Sequence, residues 1–90
     1  MLLGKVIGTA VATRKDERLV GSKLLIIMQV DLEENSVGLP FIAVDTVGAG
    51  VGELVLYVTG SVAPFAVRKS DVPIDAATVG IVDKLEWRKD

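Results

Sequence analysis

Ninety residues carrying ten Lys/Arg, twelve Asp/Glu and neither Cys nor His leave room for one domain, residues 1–90, and exclude disulfide staples and the usual ligands of zinc or haem. A formal net charge of −2 and an aromatic supply limited to Phe41, Tyr57, Phe65 and Trp87 speak against a nucleic-acid partner, which asks for basic clustering and stacking platforms. Half of the residues, 50%, are hydrophobic, a large share for a chain of a size that buries only about 60–70% of its unfolded surface, so part of the apolar surface is expected to be covered by other chains.

Charges or glycines interrupt every apolar run well short of the roughly 20 residues of a membrane helix. Met1–Lys5 also lacks the basic region and long apolar core of a secretory signal. A soluble, cytosolic chain with no membrane partner is the expectation.

In chain order, Leu3–Thr13 reads as a first strand, with Val6, Gly8, Ala10 and Ala12 on one face and Lys5, Ile7, Thr9, Val11 and Thr13 on the other. Arg14–Arg18 mixes both signs of charge and reads as a solvated loop that closes at Gly21. Lys23–Asp31 is a second strand with Leu24, Ile26, Met28 and Val30 on one face and Leu25 and Ile27 on the other. Apolar residues on both faces predict that it is covered twice, by its own core and by a neighbour.

Glu33–Ser36 is a polar turn, and Gly38 and Pro40 lead into a third strand, Phe41–Thr46. A fourth strand, Glu53–Thr59, is again apolar on both faces. Ser61 is placed to cap a short helix through Phe65 to Arg68, with Pro64 tolerated in its first turn. Asp71–Asp75 reads as a turn and Thr78–Trp87 as the last strand. These elements predict an all-β fold, a small five-stranded OB-like barrel with one short helix.

Between the third and fourth strands lies Gly48-Ala49-Gly50-Val51-Gly52. Two readings compete. Dinucleotide and P-loop motifs require a helix N-terminus after the glycines to receive the phosphate, and here a strand follows. A small anion nest of consecutive amides stays open beside the structural reading, a bend that needs positive φ or no side chain. Asp45, Glu53, Asp71, Asp75 and Asp83 supply carboxylates, but their spacing does not demand an acid–base pair, and there is no histidine to activate a serine or threonine. The expectation is a protein without catalytic residues, metal or cofactor.

Asp45–Leu56, then Gly60-Ser61, then Pro73–Asp83, together with Gly4–Thr9 and the Lys15, Leu19, Gly21, Lys23-Leu24-Leu25 spacing, resemble the EutN/CcmL family of bacterial microcompartment vertex proteins from end to end. The resemblance implies a structural barrel subunit that forms a homopentamer. It would cap the fivefold corners of a carboxysome or metabolosome shell whose other tiles are hexameric shell proteins. It also places Gly48, Ala49, Gly50, Val51 and Gly52 as candidate subunit-interface or axial-loop residues, where small side chains permit close backbone approach. The chain departs from the family after Gly60-Ser61. Relatives commonly continue with a second serine, an alanine and an arginine, whereas Val62, Ala63 and Pro64 stand here and the nearest arginine is Arg68.

Overall fold

Period-two burial sets the architecture. The computed structural model describes residues 1–68 and 72–89. Its strands are β1 (Leu2–Ala10), β2 (Leu24–Gln29), β3 (Phe41–Asp45), β4 (Leu54–Thr59) and β5 (Ala76–Val82), with the helix α1 (Ala63–Ala66) between β4 and β5. They close into a barrel in the order β1-β2-β3-β5-β4. Every pairing is antiparallel except β3 with β5, which is parallel and short, Val44 opposite Ala77 and Asp45 opposite Thr78. This is the five-stranded barrel with one short helix that the alternation predicts.

Inside, Val6 of β1, Leu25 and Ile27 of β2, Ala43 of β3, and Val55 and Tyr57 of β4 are all but inaccessible. Burying each of the larger ones contributes about 1.5–3 kcal/mol. The Tyr57 ring packs on Phe41 with centroids 4.7 Å apart and planes tilted by 47°, an arrangement aromatic pairs favour. Gly4 makes this packing possible. A Cβ on it would lie 2.6 Å from Ile27 Cγ2 and 3.0 Å from a Tyr57 ring carbon, so at this one position β1 passes Ile27 and Tyr57 as bare backbone.

Outside, β2 and β4 stay apolar for most of their length. Leu24, Ile26 and Met28 of β2 and Leu54, Leu56 and Val58 of β4 are half-buried on the outer surface. Ile7 is outside by plain alternation from buried Val6, and the bulge between Val6 and Gly8 turns Gly8 outward as well, opposite Ile26 and off the face that the alternation predicts it to share with Val6.

Several predicted boundaries move. β1 ends at Ala10 rather than Thr13, and β5 spans Ala76–Val82 rather than Thr78–Trp87. In each case hydrophobic alternation continues past the last partner strand, and without a ladder the extra residues leave the sheet. The helical segment is a 3₁₀ turn at Gly60–Val62 running into α1. Ser61 does not cap it; Val62 occupies the N-cap position and no side chain bonds the first turn, while Pro64 does stand at its start. Ser61 lies within the 3₁₀ turn, one residue ahead of the half-in position. Asp71 of the expected Asp71–Asp75 turn lies outside the described residues.

Candidate functional site

The glycine loop is built by the two carboxylates that bracket it. Asp45 closes β3, and its side chain is only 3% exposed. One carboxylate accepts hydrogen bonds from the amides of Val47 (3.2 Å), Gly48 (3.0 Å) and Ala49 (3.1 Å) and from the Thr78 hydroxyl (2.8 Å). The Lys23 ammonium lies 3.8 Å from the same carboxylate and donates to the carbonyl of Ala49. On the far side Glu53 Oε1 accepts from the amide of Gly50 at 2.7 Å, and the Glu53 amide donates back to the Gly50 carbonyl at 3.1 Å. The loop is also tied to β1, since Gly52 N–H donates to Val6 O (2.8 Å) and Val6 N–H donates to Glu53 O (3.0 Å).

Two of the glycines are there for their backbone. Gly48 and Gly52 have φ of 78° and 93°, and a Cβ on either would meet nothing within 4 Å, so the constraint is conformational and not steric crowding. Ala49 is buried in the chain's own core, Gly50 is half-buried, and Gly48, Val51 and Gly52 are exposed. Val51 stands at the tip with 64% of its surface open.

The successive amides of Val47, Gly48, Ala49 and Gly50 are the donors an anion nest would use, and all of them already bond to Asp45 or Glu53. A phosphate would have to displace a carboxylate of the chain itself. Burial raises the Asp45 pKa, but the Thr78 hydroxyl, the Val47 and Ala49 amides and the Lys23 charge together outweigh it and hold the carboxyl below its ordinary value. Asp45 and Glu53, two of the five carboxylates weighed as acid–base groups, therefore both serve the backbone of the loop.

Two members of this cluster escape sequence reasoning. Lys23 reaches Ala49 across 26 positions and Thr78 reaches Asp45 across 33, and local spacing carries no trace of either contact. Closure of β3 on β5 brings Thr78 to Asp45, so only the barrel order would have found it. Thr78 is itself fully buried, and it also accepts from the Thr46 amide at 3.2 Å. A groove of about 500 Å³ opens beside the cluster between Gly21–Lys23, Val44–Thr46 and Ala66–Arg68. Arg68, the arginine nearest to the departure from the family pattern, borders it with a left-handed φ of 56°.

The apolar surface is the second feature of the molecule. Ile7, Val11, Leu39, Ile42, Val51, Val62, Phe65 and Trp87 are all exposed on the single chain, Phe65 by 81%. Among the described residues no group of three or more Asp or Glu is arranged to hold a metal ion.

Residues 1–83 match the family model described as "Ethanolamine utilisation protein EutN/carboxysome". The chain is 49% identical over 86 residues to the bacterial microcompartment shell vertex protein GrpN of Rhodospirillum rubrum, covering 96% of this chain and 97% of that one. It is 42% identical over 83 residues to the carboxysome shell vertex protein CcmL of a Synechocystis species, covering 92% of this chain and 83% of that one. Among solved structures it superposes on the pentameric microcompartment shell protein GrpN from Rhodospirillum rubrum with a TM-score of 0.87 at 46% identity, over 99% of this chain and 100% of that chain. It superposes on an ethanolamine utilization protein, EutN, with a TM-score of 0.91 at 38% identity, over 97% and 91%.

Proposed function

The chain belongs to the EutN/CcmL family, and from that premise we propose that it is a structural shell protein whose five copies form a ring closing a fivefold vertex of a bacterial microcompartment. Relatives of both the carboxysome and the metabolosome kind are vertex proteins, and a solved relative matching nearly the whole chain is a pentamer. The observation in this molecule that carries the reading is the apolar outer surface of β2 and β4. A barrel with water on its outside has polar residues there, whereas a ring subunit needs two different outer faces that bind one another.

Hexameric shell proteins are the proposed neighbours, because a flat hexagonal layer closes into a polyhedron only where pentagons interrupt it. The protein acts by shape and not by catalysis. This reading is supported by the use of Asp45 and Glu53 as loop braces. In the ring the loop Gly48–Gly52 lies at a subunit interface or at the axis. Its exposed Val51 and its small residues suit close backbone approach there.

Co-expression with hexameric shell proteins tests the role. Closed particles that form with this protein, and open or leaky ones without it, are the expected result. Equally sealed particles in its absence would contradict the capping function.

A further inference from the structure

We propose that the groove between residues 21–23, 44–46 and 66–68 is a binding site for a small phosphate-type oxyanion, held by Arg68, Lys23 and the Ser22 hydroxyl. All of its walls come from one chain, so the site goes beyond the shell reading and does not depend on it.

Arg68 stands where its residue type fits poorly. It follows Val67, the C-cap of α1, closes the last turn by donating its N–H to Phe65 O at 3.2 Å, and takes a left-handed φ of 56°. That position just past a helix is one that glycine, or next to it asparagine, fills without strain. A side chain with a Cβ is disfavoured there, and this one gains nothing inside the subunit. The described residues give its guanidinium no hydrogen bond and no ion pair, so an exposed charge with five N–H donors stands at the wall of the groove.

A second cation comes from the opposite wall. The Asp45 amide donates to Lys23 O at 2.9 Å, which sets Ser22 and Lys23 beside Asp45 and Thr46. Asp45 is the one acidic side chain among the described residues of the groove, and its acceptor capacity is used up. Oδ1 takes the Val47 amide and the Thr78 hydroxyl, and Oδ2 takes the Gly48 and Ala49 amides, which fills the roughly four lone-pair positions of a carboxylate. Lys23 therefore stays 3.8 Å away, beyond hydrogen-bond length, and gives one N–H to Ala49 O. Its other two N–H groups are left for the groove, on a side chain that is 48% exposed. The Ser22 hydroxyl lines the same wall and has no partner among the described residues.

Two cations against one saturated carboxylate make this groove locally positive on a chain of net charge −2. Its unused groups are donors: a guanidinium, an ammonium and a hydroxyl. An arginine fork matches two oxygens of a phosphate and a lysine binds it as a point charge. The glycine-loop amides, closed to an anion by Asp45 and Glu53, explain why the site lies beside the loop and not in it. A volume of about 500 Å³ lies in the range of small-molecule sites and exceeds what a bare phosphate fills, so a phosphate ester of a small metabolite suits it best.

Amide chemical shifts of the intact protein, followed at constant ionic strength against glycerol 3-phosphate, inorganic phosphate and glycerol, test the site. The Ser22, Lys23, Thr46 and Arg68 amides are expected to shift saturably with both phosphates and to stay still with glycerol; the tighter phosphate tells an ester from the free ion. Arg68→Gln is expected to weaken phosphate binding about tenfold, whereas Arg14→Gln, at an exposed position off the groove, leaves it unchanged. Arg68→Gly should lose the phosphate while holding or raising the urea midpoint, because the left-handed φ suits glycine. Shifts that never saturate, or equal losses in Arg68→Gln and Arg14→Gln, would overturn the assignment as mere attraction between charges. An Arg68→Gly chain that unfolds more easily would overturn the view that the arginine is kept for the groove.

Discussion

The glycine loop and the apolar outer face of β2 and β4 are both unusual surfaces, and they are unusual in opposite ways. The loop has a high density of polar backbone, and the chain satisfies it internally through Asp45, Glu53, Lys23 and Thr78. The outer face has a high density of apolar side chains, and the single chain leaves it partly uncovered. A buried polar group without a partner costs about 1–3 kcal/mol within the subunit, so the buried part of the cluster, the Asp45 carboxylate and Thr78, has to be solved locally. Exposed apolar surface is tolerated until a partner arrives, so the outer face can wait for assembly. One region is finished by folding and the other by association.

That contrast can be broken at the loop first. Asp45→Ala removes the acceptor of three amides and the Thr78 hydroxyl and is expected to destabilise the fold by about 3 kcal/mol, read from urea unfolding. A loss below 1 kcal/mol would mean that water or Glu53 takes over the amides. Gly4→Ala comes next, at about 1–3 kcal/mol, because its methyl group must fit against Ile27 and Tyr57; an unchanged midpoint would show that β1 can shift. Gly48→Ala and Gly52→Ala are each expected to cost about 1–2 kcal/mol through their left-handed backbone alone. The same experiments sharpen the comparison when run beside Met28→Lys on the outer face of β2, which should leave urea unfolding of the separated subunit nearly unchanged while weakening the ring.

The smallest effect is that of pH. Asp45 has its pKa lowered in the folded chain, so its contribution is fully present above the unfolded value of about 3.9 and is lost as pH falls through the folded value. Asp16, held down by the Arg18 side chain, and Asp31, held down by the Asn35 amide, shift in the same direction at exposed sites. Stability should therefore be flat near neutrality and decline below about pH 4. Asp45→Asn should make that decline shallower in acid titrations followed by circular dichroism.

The apolar outer face was more legible in the sequence than the loop's bracing. Leu24-Leu25-Ile26-Ile27-Met28 announces two apolar faces, and an outer cover follows from that alone. The glycines likewise announce a bend, and the strand after them removes the helix that a phosphate cradle needs. What stayed hidden depends on closure. Nothing near Asp45 in the chain points to Thr78 or Lys23, and Thr78 reaches Asp45 only because β3 and β5 pair over two residues. Alternation carries the first strand on to Thr13 and the last to Trp87, past their ends at Ala10 and Val82, for the same reason, since alternation marks a strand's faces and the partner strand marks its length. Serine is a good N-cap where a helix starts one residue later, but Ser61 falls inside a 3₁₀ turn that precedes the helix, so its residue type does not mark the helix start.

Native mass spectrometry of the unmodified protein, across a dilution series, addresses the central claim most directly. The account predicts one dominant species at five times the 9.5 kDa chain mass, persisting until dissociation into single chains. A monodisperse 9.5 kDa monomer, or a ring of six, would contradict it.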